Sequence, residues 1–272
     1  MLSQVIFSIL LSITIFVLAF NLEVGEMGLA SNLNALMIVL GGTFAATLIA
    51  YPWKKITWTL QVLKNTFLEQ NEIDWTIKTI VALARTYRHS GIRTLEKKGK
   101  ELPEGLLKTA VELMAFQYSR EKIELILQKK AQLTYVQYET GYKILYSMAR
   151  FAPALGLTGT IVNLIRIFGH IADPKSLVGY MAIALLSTFY GVVFANLCFL
   201  PLANKLKEFM DHEEVQLELI QEGILDIYDE ENPTAIQFKL ETLSTAALKA
   251  SLTSRRPEFI PIASDKHSSL AS

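Results

Sequence analysis

The chain has 272 residues, a formal net charge of zero and 51% hydrophobic residues. The neutral charge argues against nucleic acid as the main partner, and the single cysteine, Cys198, excludes a disulfide framework or a cysteine metal cluster. Hydrophobic content alone does not separate soluble from membrane proteins. The charges are segregated, however, because no Lys or Arg occurs before Lys54. The sequence therefore predicts membrane segments at its start.

Two apolar stretches near the start are expected to cross the membrane. Met1–Leu22 is uncharged and lacks the basic residues and cleavage site of a signal peptide, so we predict a first membrane helix. A second span is predicted from Asn34 to Tyr51, and the Pro, Trp and Lys residues at 52–55 end it at the cytoplasmic interface. The second span contains small residues typical of a helix-packing face: Gly41, Gly42, Thr43, Ala45, Ala46 and Thr47.

The following region is charged, and we predict that it is helical and cytoplasmic. Of the 26 Lys and Arg residues, 17 lie between Lys54 and Arg150, on the cytoplasmic side by the positive-inside rule. Helical periodicity and start signals predict four helices: Asp74 to the Gly91 turn, Ile92–Lys100, one starting at Pro103, and a long one from Arg120 behind the cap Ser119. Tyrosines recur in the long helix at spacings of three and four, which favours packing or a membrane-interface belt over a ligand site: Tyr135, Tyr138, Tyr142 and Tyr146.

Two further spans are predicted after this region. The third runs from about Tyr146 to Ile171, with Arg166 near its outer end. The fourth lies in the stretch between Lys175 and Lys205, which contains no charged residue. Two spans on each side of the central region place both termini in the cytoplasm. The sequence thus predicts an all-α integral membrane protein with four transmembrane helices and a helical cytoplasmic domain, divided into 1–53 (spans one and two), 54–145 (cytoplasmic domain), 146–203 (spans three and four, forming the channel), 204–243 (helical cytoplasmic tail) and 244–272 (disordered tail).

The last two spans carry the motifs of a known family. The matching residues are Ala152, Pro153, Ala154, Gly156, Gly159 and Thr160, the Asp173–Pro174 loop, Ala184, Leu185, Leu186, Thr188, Tyr190 and Gly191, and the run from Pro201 to Leu206. They resemble the MotA/PomA flagellar stator subunits, which are related to the TolQ/ExbB proteins. Gln221–Ile227 and the Asn232–Pro233 step resemble the same family. Asn163 departs from it, because glycine is usual there, and Asp229–Glu230 replaces another common glycine.

The chemistry of an enzyme is missing from the sequence. There is no phosphate-binding glycine loop, no nucleophile elbow and no metal-spaced cluster, so we expect neither an enzyme nor a cofactor. The predicted spans also contain no Asp or Glu, although cation transport normally needs an ionisable or coordinating group in the membrane. We therefore expect another subunit to supply the carboxylate. The resemblance implies the same, since MotB/PomB-type single-span partners each bring a membrane aspartate. It leaves open whether H⁺ or Na⁺ is transported.

The resemblance also implies roles for individual residues. Thr188 and Thr160 are the candidates for the ion pathway; a simpler interpretation is that each hydroxyl bonds back to the carbonyl four residues earlier, at Ala184 and Gly156. The other assignments are conformational coupling at Pro153 and Pro201, rotor contact at Arg88 and Glu96, and helix packing at Gly156, Gly159 and Gly191.

The function implied is an A-type stator subunit of the flagellar motor in the bacterial inner membrane. It would form a pentamer around a dimer of the B-type partner and turn ion flow into torque on a FliG-type rotor protein. Two alternatives stay open at this point. One is a TolQ/ExbB-like subunit driving another envelope or motility process, which the four predicted spans disfavour. The other is a membrane scaffold that conducts no ions.

Overall fold

The computed structural model describes residues 29–67, 72–169 and 174–253. The predicted first span, Met1–Leu22, lies outside these residues, as does the chain after Thr253. The described residues are helical, as predicted for an all-α protein. They contain three segments long and apolar enough to cross a membrane: Leu33–Ala50, and parts of the helical stretches Arg120–Gly169 and Leu177–Tyr228.

Nine α-helices and two π-helical turns make up the described chain. In order they are α1 (Leu29–Leu36), π1 (Met37–Gly41), α2 (Gly42–Ala50), α3 (Trp53–Thr66), α4 (Glu72–Glu101), α5 (Leu106–Ala115), α6 (Arg120–Gly169), α7 (Pro174–Phe194), π2 (Ala195–Phe199), α8 (Leu200–Tyr228) and α9 (Pro233–Thr253). Both π turns are flanked directly by helices, so α1 to α2 and α7 to α8 each run without a loop.

Two continuous helical stretches connect the apolar segments to the charged region. Helix α6 has 50 residues and passes through the predicted boundary at 145/146. Helix α7 continues through π2 into α8, which contains the predicted boundary at 203/204. Helices α6 and α7 pack against each other in the apolar segment, and α6 and α8 pack against each other beyond it.

The side chains that pack between the helices are aliphatic in one region and aromatic in another. The cytoplasmic core is aliphatic and is built from α4, α5, α6, α8 and α9 around residues such as Ile80, Leu127 and Ile224. Next to the apolar segments, Trp58 of α3 and Phe209 of α8 lie against Tyr138, with ring centroids 5.6 and 5.4 Å away. Tyr142 stacks on Tyr146. Tyr138 and Tyr142 therefore pack against a buried cluster, whereas Tyr135 and Tyr146 are exposed on the protomer.

Several predicted boundaries need correction. Helix α5 starts at Leu106 rather than Pro103, because Gly105 before it is extended. Helix α9 continues through Thr253, so the predicted disorder from Ser244 is wrong up to that residue. Alanines favour the helix there, and Ser244 is buried with its hydroxyl donating to the carbonyl of Glu241.

Two turns contain a residue with positive φ, one at the predicted Gly91 turn and one where the chain departs from the family. Helix α4 breaks at Gly91, whose φ of 71° is open to glycine but rarely to other residues. Glu230 also has a positive φ, 58°, at the Asp229–Glu230 step where the family commonly has glycine.

Candidate channel-forming helix pair

Helices α6 and α7 touch through their backbones. A Cβ added at Gly156 would lie 2.7 Å from the carbonyl oxygen of Ser187, and one added at Gly191 would lie 2.7 Å from the carbonyl oxygen of Ala152. Each of these distances is too short for any side chain larger than hydrogen, because the neighbouring atom belongs to the backbone. The two glycines therefore set the closest approach of the pair, as small residues do in membrane helices.

Gly159 forms the next contact along α6. A Cβ there would lie 2.8 Å from the Cβ of Ser187 and 3.2 Å from a methyl group of Ile38 in π1. Three helical segments thus meet at this glycine. The positions of Gly156, Gly159 and Gly191 are those that a packing role requires.

A pair of threonine hydroxyl groups bridges α6 and α7 at this contact. The Oγ1 atoms of Thr160 and Thr188 lie 2.5 Å apart, and Thr160 Oγ1 lies 2.9 Å from the carbonyl oxygen of Ala184 and 3.3 Å from that of Gly156. Thr160 therefore reaches back to Gly156 only weakly and mainly bonds across to α7. The carbonyl of Ala184, expected for Thr188, accepts from Thr160 instead.

The hydrogen bonds determine which atoms of Thr188 remain available to a ligand. A carbonyl oxygen only accepts, so these groups are best satisfied when Thr160 donates to Ala184 and Thr188 donates to Thr160. The lone pairs of the Thr188 oxygen are then left for an outside donor or a cation. Thr188 is exposed on the surface of the protomer while Thr160 is half-buried, so this oxygen faces outward.

Thr188 belongs to an exposed stripe along α7. The stripe repeats at helical spacing and is otherwise apolar: Val178, Met181, Leu185 and Val192. It continues to Asn196, an exposed residue in π2 whose Nδ2 donates to the carbonyl of Val192 at 2.9 Å. Asn196 is not among the residues predicted from the sequence. The sequence signal that could have identified it is a polar amide within an otherwise uncharged span.

The buried face of α6 holds a second amide. Asn163 is fully buried, its Nδ2 donates to the carbonyl of Gly159 at 2.8 Å, and its Oδ1 has no partner within the described residues. The hydrogen bond returns to its own helix, so Asn163 adds a polar side chain to the interior where the family usually has glycine, without a hydrogen bond to α7 within the described residues.

Comparisons with known proteins agree with this helix pair. Residues 98–219 match the family described as the MotA/TolQ/ExbB proton channel family. A Bacillus subtilis relative, "Uncharacterized protein YtxD", is 31% identical over 215 residues, covering 79% of this chain and 79% of the relative. This chain belongs to the MotA/TolQ/ExbB proton channel family.

Two further comparisons concern a motility relative and a solved structure. "Chemotaxis protein PomA" of Vibrio alginolyticus is 28% identical over 218 residues, covering 80% of this chain and 85% of the relative. The solved C. jejuni MotAB structure shares the fold, with a TM-score of 0.78 at 21% identity over 88% of this chain and 94% of that one. The family is described as a channel family and not as an enzyme family.

The remaining predicted residues lie away from the threonine pair. Pro153 is inside α6, next to the Gly191 contact, and Pro201 is near the start of α8. Arg88 and Glu96 lie on the two arms of α4, on either side of the Gly91 break, and both are exposed. Glu96 pairs with Lys100 at 2.8 Å, which lowers its pKa through the hydrogen bond. Arg88 forms no ion pair or side-chain hydrogen bond with the described residues.

The described residues contain no cluster of His, Cys, Asp and Glu that could hold a metal ion. The oxygen atoms available at the helix pair are hydroxyls, amides and backbone carbonyls. Such groups can coordinate a partly dehydrated cation or orient water, but they cannot balance its charge.

Proposed function

We propose that this chain is the A-type subunit of a flagellar stator, which forms an ion channel with a B-type partner and converts ion flow into torque. The observation that carries the proposal is the Thr160–Thr188 pair, whose outward oxygen lies in a span without a single carboxylate. The relatives support the stator branch, since the curated matches include PomA and several proteins named Motility protein A.

The partner supplies what the described helices lack. A MotB/PomB-type subunit with one membrane span would bring its aspartate to the exposed face of α7. The Thr188 oxygen would then accept from the protonated carboxyl or from a water, or coordinate Na⁺ beside the ionised carboxylate. Asn196 lies two turns further along this face, between Thr188 and the cytoplasmic helix α8, and offers a second oxygen on the same path.

The exposed faces support an assembly with other subunits. Large apolar side chains of α6 and α7 are exposed on the protomer, Leu185 and Phe168 to 69% and 72%, and must meet lipid or protein. We propose a pentamer around a B-type dimer in the bacterial inner membrane, multi-pass, with both termini in the cytoplasm. Arg88 and Glu96, on the two arms of α4, would contact a FliG-type rotor protein.

A TolQ/ExbB-like role is the other function within this family. It would use the same helix pair with a different partner. The curated relatives named as motility proteins favour the stator.

Removal of the Thr188 hydroxyl tests the proposal. Thr188→Val keeps the shape of the side chain, so the complex with the partner should assemble at normal abundance, while ion flux and motor rotation fall more than tenfold. Thr188→Ser should retain part of both. Thr158→Val is the matched control, because Thr158 is also exposed on the apolar part of α6 but bonds only to the carbonyl of Ala154. Rotation and ion flux in cells that lack their own stator measure the effect.

Two results would contradict the proposal. Normal rotation with Thr188→Val would show that the hydroxyl is not in the ion path, and loss of the complex would show that Thr188 is a packing residue.

A further measurement concerns the partner: vesicles that hold this chain alone should show no H⁺ or Na⁺ leak, because the carboxylate comes from the other subunit.

A further inference from the structure

A cleft of about 430 Å³ lies between α4 and α9 in the cytoplasmic half of the molecule. This volume is within the range of sites that hold small molecules. Its lining side chains come from the first arm of α4, from the second arm after the Gly91 break, and from one face of α9. The cleft is therefore separate from the helix pair that carries the threonines.

The basic side chains of this cleft have no carboxylate partner. Lys78 and Arg85 form no ion pair or side-chain hydrogen bond with the described residues. Lys98 donates only to the hydroxyl of Thr86, at 2.7 Å. By contrast, Lys100 on the same arm as Lys98 pairs with the carboxylate four residues earlier. Cations that line one cleft and lack a partner favour the binding of an anion.

Arg85 and Lys98 indicate the type of anion. A guanidinium group offers a planar pair of N–H donors that matches two oxygens of a phosphate, and an ammonium group adds a compact charge. Thr86 holds Lys98 at the cleft, because its hydroxyl donates to the carbonyl of Ala82 at 2.8 Å and accepts from Lys98. An ammonium group has three N–H donors, so two of them remain for a ligand.

Two carboxylates in the cleft limit what else the ligand can contain. Asp74 lies in the first turn of α4, about 16 Å along the helix from Arg85. Glu241 of α9 accepts from the amide of Gln237 at 2.9 Å. A ligand that is anionic throughout would be repelled by these carboxylates, whereas one with O–H or N–H groups away from its phosphate could donate to them.

We propose that this cleft binds a small organic phosphate, such as a nucleotide or a sugar phosphate, with its phosphate group between Arg85 and Lys98. These two residues lie on different arms of α4, so a phosphate bound to both would fix the angle across Gly91. The arms carry Arg88 and Glu96, so the ligand would regulate the rotor contact. That consequence rests on the proposed function, whereas the binding itself does not.

Titration calorimetry with pyrophosphate tests the anion site. In the purified full-length chain in detergent, at constant ionic strength, we expect one saturable site per chain. Arg85→Gln and Lys98→Gln should each weaken it about tenfold or more, because each removes a charged donor. Arg93→Gln and Lys97→Gln are the matched controls, since both side chains are exposed on the second arm outside the cleft, and they should bind as the wild type does.

All four side chains are exposed, so the variants should fold normally. The absence of saturable pyrophosphate binding, or equal weakening in all four variants, would overturn the proposal.

A second titration concerns the organic part of the ligand. Adenosine monophosphate and glucose phosphate are the probes, and at least one should bind more tightly than inorganic phosphate. Asp74→Ala should weaken that probe but not pyrophosphate, because it removes an acceptor for the organic part. Glu112→Ala is the control, since Glu112 is an exposed carboxylate on α5 outside the cleft. If neither probe binds more tightly than inorganic phosphate, the assignment to an organic phosphate is wrong.

Amide hydrogen exchange tests the effect on the two arms. Saturating pyrophosphate should slow exchange within 86–98 in the wild-type chain but not in Arg85→Gln, and α5 should stay unchanged. This measurement needs no rotation, so failure of the stator function would not affect it. Unchanged exchange in the wild-type chain with pyrophosphate bound would show that the ligand does not join the arms.

Discussion

Glycine makes close contacts in both halves of the molecule, but the contacts are of different kinds. In the apolar half, the site of a Cβ at Gly156 or Gly191 is occupied by backbone atoms at 2.7 Å. In the cytoplasmic half, a Cβ at Gly223 would meet the side chain of Ile80, at 2.6 Å from Cγ2 and 3.1 Å from Cδ1. A side chain can change rotamer, whereas a helix backbone must move as a whole. The membrane pair therefore tolerates an added methyl group at its glycines much less than the cytoplasmic core does.

The polar interactions of the two halves also differ. The membrane pair has hydroxyl and carbonyl groups at its contact, with no charge. The cytoplasmic half has an ion cluster, in which Lys239 of α9 contacts Asp226 at 2.8 Å and Glu222 at 2.9 Å, both on α8. Burial alone would lower the pKa of Lys239, but its hydrogen bonds to both carboxylates raise it well above the ordinary value. The membrane pair is held by close packing of two helix backbones, and the cytoplasmic half by side-chain packing and ion pairs.

The largest effect is expected from alanine at the backbone contacts. Gly191→Ala, like Gly156→Ala, should separate α6 from α7, and the stator complex should then be lost from the membrane. Gly223→Ala is the comparison, because the added methyl group meets the side chains of Ile80 and Leu240 rather than a backbone; overpacking of this kind costs about 1–3 kcal/mol, and the complex should persist with lower thermal stability. Quantitative detection of the complex in membranes and a melting curve measure the two results. Equal abundance of all three variants would show that backbone and side-chain contacts tolerate the added methyl group equally well.

A smaller effect is expected from breaking the cytoplasmic ion cluster. Lys239→Met leaves the carboxylate of Asp226, whose side chain is only 8% exposed, without its partner. A buried charge that loses its partner is strongly destabilising, and since Lys239 is itself partly exposed we expect about 2 kcal/mol. Arg120→Met is the control, because the Arg120–Asp229 pair between α6 and the end of α8 is exposed to solvent, so its loss should cost clearly less than the loss of Lys239. Urea unfolding of the detergent-solubilised protein measures both, and equal losses would contradict the ranking.

The smallest effect on stability is expected from reversing the charge of Arg88 or Glu96. Both side chains are exposed, so Arg88→Glu and Glu96→Lys should leave assembly unchanged and reduce swimming, because complementary charges set the specificity of a contact. Lys100 lowers the pKa of Glu96, so its charge should persist as the pH falls into the ordinary range of a glutamate. A compensating reversal on the rotor protein should restore swimming. Normal swimming of both variants across a range of salt would make these residues ordinary surface charges.

The local signals in the sequence predict much of this fold. Ser119 before Arg120 predicts the start of α6, Gly91 predicts the break in α4, and the uncharged stretch after Lys175 predicts the last span. These features depend on backbone preferences and hydrophobicity, which a single segment carries by itself.

Features that need two segments could not be predicted. The hydrogen bond from Thr160 to Ala184 joins residues 24 positions apart, and the bonds of Lys239 depend on how α9 returns along α8. The π turns have ordinary apolar sequences, so nothing in their composition separates them from the helix around them. Family motifs brought Thr160 and Thr188 together as candidates, but only the packing of α6 on α7 shows which carbonyl each one reaches.

The length of α6 has a mechanical consequence. Its 50 residues extend about 75 Å, roughly two and a half times the thickness of the hydrocarbon core. Pro153 lies 33 residues from its cytoplasmic end, so about 50 Å of unbroken helix extends beyond that point. A tilt of only ~5° there would displace the far end by about 4 Å, from the same rise per residue. Because of this length, a small change of angle at Pro153 would become a displacement of the far end as large as a side chain.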